Sequence, residues 1–183
     1  MTVKYNSIGT EEWNKRYTGN ATINKDQAIS IAVNTNDDVI VTGVSSQLST
    51  LTDFTTIKYN ITGQVVWLRH YDSGSGLGDA PSKLVLDNEN NIYITGSSGN
   101  GANNDIKTIK YSDAGSLLWI APFNGTGDGD DKAHDIAINS AYDMFVVGQS
   151  FNGINYDFIT IKYKQPSPLT ISFETTHATC NTF

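Results

Sequence analysis

The residues of this 183-residue chain most able to do chemistry are carboxylates, and they crowd in Asn124-Gly125-Thr126-Gly127-Asp128-Gly129-Asp130-Asp131. Calcium takes carboxylate and carbonyl oxygens from a flexible turn, so Asp128, Asp130 and Asp131 form the candidate calcium set. The spacing lacks the alternating acids and distal Glu of an EF-hand loop. Sister stretches carry fewer acids, Asp72 and Asp79 in one and Asp26 in another, so a solvated turn is the competing reading. His70, His134 and His177 share no spacing that would pair two of them on zinc. Ser, His and Asp are present without a nucleophile elbow, and the glycines of 73–78 precede no helix that could cradle phosphate. No catalytic residue and no cofactor follow from these motifs. Asn20-Ala21-Thr22, Asn60-Ile61-Thr62 and Asn124-Gly125-Thr126 match glycosylation sequons, a short motif that means little in Asn/Thr-rich sequence.

The elements that must position such residues announce themselves by repetition. Thr2-Val3-Lys4-Tyr5, Thr56-Ile57-Lys58-Tyr59, Thr108-Ile109-Lys110-Tyr111 and Thr160-Ile161-Lys162-Tyr163 follow one another in steps of 54, 52 and 52 residues. Glycines (Gly9, Gly63, Gly115) and tryptophans (Trp13, Trp67, Trp119) stay in phase with them. So do aspartates (Asp26, Asp79, Asp131), a second glycine (Gly43, Gly96, Gly148) and a further aspartate (Asp53, Asp105, Asp157). A fixed period of this length marks an array of one supersecondary unit.

Each unit reads as four short strands, for example 79–87, 91–97, 105–111 and 116–123, rich in Ile, Val, Leu, Thr and aromatics and bounded by Gly, Asn and Asp. No segment has helical apolar spacing over a useful length. Four strands in about fifty residues predict an all-β chain of β-propeller blades, each of four antiparallel strands. Closed propellers have four to eight blades, and this length supplies about three and a half, so a partial ring is expected, an open arc with a sheet edge prone to self-association. Two turn classes are compact, at 34–37, 87–90 and 139–142 and at 60–63 and 112–115. The other two, at 45–52, 97–104 and 149–156 and at 72–78 and 124–130, read as longer and emerge on one side. Binding lives on such loops over a rigid scaffold. Asn103, Asn104, Phe151, Asn152, Asn155 and Tyr156 are the candidate ligand residues.

Repeated residues are scaffold first. Trp13, Trp67 and Trp119 are expected to dock adjacent units. Lys58, Lys110 and Lys162 are expected to pair with the repeated aspartates Asp79 and Asp131 or to snorkel at an edge.

The pattern D-[FI]-x-T-I-K-Y-x-x-x-G-x-x-x-W, then D-x-A and N-x-Y-[IV]-T-G-x-S, resembles the bacterial SBBP-type β-propeller repeat. Its cleanest copy is 53–67 with 91–98; in the third copy Tyr142-Asp143-Met144-Phe145-Val146-Val147-Gly148 departs from the consensus. The resemblance spans 1–163 and implies a large secreted or surface-attached bacterial protein, with adhesion or binding as its role. Residues 164–168 read as a proline-stiffened linker. Residues 169–183 resemble the opening of an adhesin-type β-sandwich repeat; the alternative is the fourth strand of the last blade, with Ile171 standing 52 residues after Trp119.

Net charge is −7 with 17% charged residues, so no electrostatic footprint favours nucleic acid or an anionic membrane surface. No apolar run approaches a membrane span, and the first residues, in phase with the repeat, lack a signal-peptide core. Cys180 is the single cysteine, so no internal disulfide forms. The leading expectation is a non-enzymatic binding or adhesion module of an extracellular or cell-surface protein, with a glycan or protein ligand on the longer-loop side. A propeller-based hydrolase or lyase would need convergent acids and bases that the repeat does not supply. A structural spacer is the third reading.

Overall fold

A computed structural model describes residues 1–20, 25–46, 51–164 and 172–176. These form fourteen strands and no helix, arranged in antiparallel sheets whose strands follow chain order. Sheet I holds β1 (Thr2–Tyr5) and β2 (Glu11–Lys15). Sheet II runs β3 (Gln27–Val33), β4 (Val39–Ser45), β5 (Asp53–Tyr59) and β6 (Val65–Tyr71). Sheet III repeats this with β7 (Ala80–Leu86), β8 (Ile92–Gly99), β9 (Asn104–Tyr111) and β10 (Leu117–Phe123). Sheet IV follows with β11 (Asp131–Ile138), β12 (Met144–Phe151), β13 (Tyr156–Lys164) and β14 (Ser172–Thr176).

The phased glycines have two physical reasons. In the second strand of each sheet the cause is crowding. A Cβ on Gly43, Gly96 or Gly148 would lie 2.0, 2.3 or 2.0 Å from the carbonyl oxygen of Gln27, Ala80 or Lys132. Each carbonyl sits beside a bulge in the first strand, at Ala28/Ser30, Pro81/Lys83 and Ala133/Asp135. The bulge pushes backbone toward its partner strand, and only glycine leaves room. In the third-to-fourth turn the cause is a positive φ, +76° at Gly63 and +79° at Gly115. That conformation also opens a seat for the preceding sheet's tryptophan. Trp13 covers Gly63 and donates its Nε1–H to Ile61 O at 3.0 Å; Trp67 covers Gly115 and donates to Asp113 O at 3.0 Å. For Trp13 and Trp67 the expected docking between units is realised as a hydrogen-bonded clasp, while Trp119 lies against Tyr93 and Tyr163.

Side chains alternate along each strand, so one face of a sheet looks to the preceding sheet and the other to the next. Val39, Val41, Ile57 and Tyr59 of sheet II meet Trp13 and Tyr17 near sheet I. Ile40, Phe54 and Trp67 pack with Leu84, Ile92, Ile94 and Ile109 between sheets II and III. Tyr93 and Ile106 pack with Ile136, Met144, Val146 and Ile161 between III and IV. Phe54 and Ile106 are 2% and 0% exposed, while Phe158, at the equivalent place in sheet IV, is 71% exposed.

Two expectations need correction. The turns between second and third strands in sheets III and IV are compact four-residue turns, Asn100–Asn103 and Asn152–Asn155, because the flanking strands run further out than the sequence suggested. Each is closed by a backbone bond, Asn100 N to Asn103 O and Asn152 N to Asn155 O, both 2.9 Å. The fourth strand of sheet IV is Ser172–Thr176, with Glu174 opposite Lys162. Trp67 and Trp119 hold that place opposite Lys58 and Lys110, so the last strand enters three residues later than the period predicts. The linker after Lys164, Ile171, and the tail from His177 with Cys180 lie outside the described residues.

Candidate functional site

On one side of the array, the connections between sheets and the second-to-third turns form a continuous loop surface. Its anchors are the repeated aspartates. Asp79 Oδ2 accepts Ser73 N–H at 2.8 Å and its Oδ1 accepts Gly99 N–H at 3.1 Å. Asp131 repeats this with Gly125 N–H at 2.6 Å and Phe151 N–H at 3.2 Å. Both carboxylates are 0% exposed. Each ties the inter-sheet loop to the end of the second strand, satisfying two backbone donors that would otherwise be orphaned. Asp26, which is exposed, makes the corresponding bonds to Gly19 N–H and Ser45 Oγ–H at 2.9 and 2.6 Å.

This overturns the expected pairing of lysines with Asp79 and Asp131. Lys58 instead binds Asp38 at 3.0 Å and Asp113 of the next sheet, Lys110 lies 3.8 Å from Asp87, and Lys162 binds Asp143 at 2.8 Å. All these partners sit on the opposite side of the array, at the first-to-second and third-to-fourth turns. The third strand is the reason: its lysine is near one end and its opening aspartate at the other. Burial lowers the Lys110 pKa, against the opposing pull of Asp87 and Glu89, and the ammonium lies 4.8 Å from the Tyr93 ring centre.

The candidate ligand residues sit on or beside the loop surface. Asn103 Nδ2 donates to Asp128 O at 2.7 Å, and Asn104 donates N–H and Nδ2 to Asp130 Oδ1 at 2.9 and 3.1 Å. Gly127 N–H donates to Phe151 O at 3.2 Å, so the 124–130 loop is held from both flanks. Asn152 Oδ1 accepts Ile154 and Asn155 N–H, while its Nδ2 donates to Asn155 Oδ1 and Asp157 Oδ2. Asn100 does the same for its turn, reaching Asp105 at 3.0 Å. The aspartate that opens each third strand is thus a turn clamp in sheets III and IV. Burial raises the Asp105 pKa, against the Asn100 hydrogen bond, and Asp131 adds to the rise. Phe151 packs 5.5 Å from Tyr156, which is 50% exposed. Tyr156 belongs to the outward face of sheet IV together with Phe158.

The acids of the candidate calcium turn face different partners. Asp131 is buried under the loop, Asp130 is taken by Asn104, and Asp128, at φ +48°, accepts from Asn124 Nδ2 at 3.1 Å. Among the described residues the carboxylates that come together are Asp53, Asp72 and Asp79, with ligand oxygens within 4.8 Å of one another. Such a donor set suits a hard cation. Sequence reasoning missed it because these residues are 19 and 7 positions apart and converge only through strand pairing. The phased positions 53 and 79 were the available signal. In the next unit Asn124 stands where Asp72 would be, so the full trio occurs once among the units that the described residues complete.

His70 Nδ1 is 2.9 Å from Thr55 Oγ1 and its Nε2 is 3.4 Å from Tyr17 Oη, a link between sheets I and II. Burial lowers its pKa, opposed by the charge of Asp53. Thr55 is 4% exposed, so the hydroxyl at Nδ1 is buried. His134 is exposed on β11, and His177 lies outside the described residues.

What the fold and these loops define is an all-β array of repeated antiparallel sheets with one clamped polar loop surface. No family model matches the chain, and no curated protein matches it.

Proposed function

We propose that the chain is an arc of β-propeller blades of the SBBP-type repeat and serves as a non-enzymatic binding or adhesion module of a secreted or surface protein. The blade reading is supported by the identical strand order of sheets II, III and IV, with the first strands of III and IV each packed against the sheet before. The observation that carries the binding reading is the 124–130 loop, bridged to Asn103 and Asn104 on one side and to Phe151 on the other. A surface clamped in this way loses little conformational freedom when a ligand arrives, which favours affinity. The exposed residues of that loop are Asn124, Thr126 and Asp128, an amide, a hydroxyl and a carboxylate, with half-buried Phe151 beside them, a lining suited to a glycan or a polar protein loop.

The test is binding of the labelled intact chain to glycan and protein arrays, with two variants carried alongside. Thr126→Trp places a bulky ring on the exposed loop, and Asn88→Trp does the same on the opposite side. Binding lost in the first and kept in the second supports the reading. Equal binding by both moves the site elsewhere, and silence of the intact chain across both arrays favours a spacer.

A further inference from the structure

Asp53 opens β5, Asp72 follows β6 and Asp79 precedes β7, yet one carboxylate oxygen of each lies within 4.8 Å of the others. Asp53 and Asp79 are 2% and 0% exposed, whereas Asp72 is open to solvent. Among the described residues no lysine or arginine pairs with Asp72 or Asp79. Each Asp79 oxygen accepts a single N–H, and a carboxylate offers about four lone-pair sites, so acceptor capacity remains. Buried charge is stable only when it is paired or coordinates a metal. A second observation falls on the same spot. Ser98 is 0% exposed and its Oγ has no hydrogen-bond partner. Ile92 and Ile94 of β8 belong to the cluster between sheets II and III, and a Cβ on Gly96 would lie 2.6 Å from Phe54 Cζ. Ser98 continues that face and so points toward sheet II. It does so at the level of Asp79, whose Oδ1 takes the N–H of the next residue, Gly99. The Tyr71 hydroxyl, close enough to feel the charges of Asp79 and Asp72, lies beside Ser98 but in no hydrogen-bonding geometry.

The neighbouring units show why this serine differs. Ser45 stands opposite Asp53 as Ser98 stands opposite Asp105, and it donates to Asp26 at 2.6 Å. Gly19 leaves room for that hydroxyl, since a Cβ there would lie 2.5 Å from Ser45 Oγ, and Gly125 does the same for Ser150. In sheet III the position is Ser73, so the Ser98 hydroxyl cannot sit where its counterparts do. We propose that Asp53, Asp72, Asp79 and Ser98 bind one calcium ion, which ties β5 of sheet II to the inter-sheet loop and to the end of β8. Oxygens on opposite sides of a calcium ion are about 5 Å apart, against about 4 Å for magnesium, so calcium spans this trio without rearrangement. The next interface is the contrast. There Asn124 replaces Asp72, and Asn100 Nδ2 donates to Asp105 at 3.0 Å, so the chain's own amides do what the ion does here. The inference does not rest on the ligand-binding role of the loop surface.

The probe is calcium ion alone, titrated calorimetrically into the intact, chelator-treated chain, with magnesium in parallel. One saturable calcium site, a Tm that rises with calcium and a weaker response to magnesium are expected. Asp72→Asn places the next unit's amide at an exposed position, so the fold is kept. It should weaken calcium binding by roughly tenfold or more, because affinity follows the charge of the ligand set. Ser98→Ala should weaken it severalfold, with Tm in chelator unchanged. Asp128→Asn, in the acid-rich turn at 124–131, should bind as the parent does. The proposal is overturned by no binding at millimolar calcium, by Asp72→Asn binding as tightly as the parent, or by loss of binding in Asp128→Asn instead.

Discussion

Removing the carboxylate of Asp131 gives the sharpest quantitative expectation. Asp131→Ala leaves Gly125 N–H and Phe151 N–H without their acceptor beneath a loop that excludes water; the side chain itself is 0% exposed. An orphaned buried donor costs about 1–3 kcal/mol, so two give roughly 2–6, and we expect about 3–5 kcal/mol of lost stability. For a domain of this size that lowers Tm by on the order of 10 °C. Asp131→Asn keeps one acceptor and turns the other into a donor, so it should cost about half as much. The chain carries its own control. Asp26 makes the same kind of bonds but is exposed, and water can replace its carboxylate. Asp26→Ala should cost about 1 kcal/mol or less. Urea denaturation of the three variants against the parent measures all of this in one series. The reasoning is refuted if Asp131→Ala costs less than about 1 kcal/mol, or if Asp26→Ala costs as much.

Other sites give parallel contrasts. Lys58, 3% exposed between two partly exposed aspartates, should cost about 1–3 kcal/mol as Lys58→Met, because both acids lose their shared cation; Lys162→Met, on a half-open pair, should cost less than about 1 by the same denaturation assay. Gly115→Ala combines a positive φ with a Cβ 2.8 Å from the Trp67 ring and should destabilise by about 2–4 kcal/mol, while Gly9→Ala meets nothing and should cost about 1. Burial holds the Tyr111 and Tyr163 hydroxyls up to about 12, against the usual 10.0. Between those values the folded chain keeps protons that the unfolded chain has shed, so this stability is complete below pH 10 and is lost as pH rises toward 12. The contribution of each buried hydroxyl is on the order of 2–3 kcal/mol. Alkaline unfolding curves should therefore flatten in Tyr111→Phe and Tyr163→Phe.

Much of the fold was legible because the repeat writes each structural demand several times. Gly43, Gly96 and Gly148 mark the bulge contact, Gly63 and Gly115 the tryptophan seat, and strand alternation sets which face is buried. The partners of repeated residues were not legible. Asp79 and Lys58 recur in phase, which shows that each matters but not which end of its strand it serves; backbone donors, invisible in a list of side chains, claimed the aspartates. The Asp53, Asp72 and Asp79 trio was hidden for a related reason, since two of its members looked like scaffold and the third like an ordinary loop residue. The late entry of β14 was hidden because the tryptophan that fixes the fourth strand elsewhere has no counterpart there. Glu174 takes the place opposite Lys162 instead.

The binding account rests on a loop surface held in one shape before any ligand arrives, and amide hydrogen exchange on the free chain tests that directly. Ser73, Gly99, Gly125 and Phe151 donate to buried carboxylates, so their amides should exchange as slowly as those of β8 and β12. Exchange at the rate of an unstructured chain at Gly125 and Phe151, with the strands still protected, would contradict the account: the loops would then be loose, and the surface would not exist until something bound it.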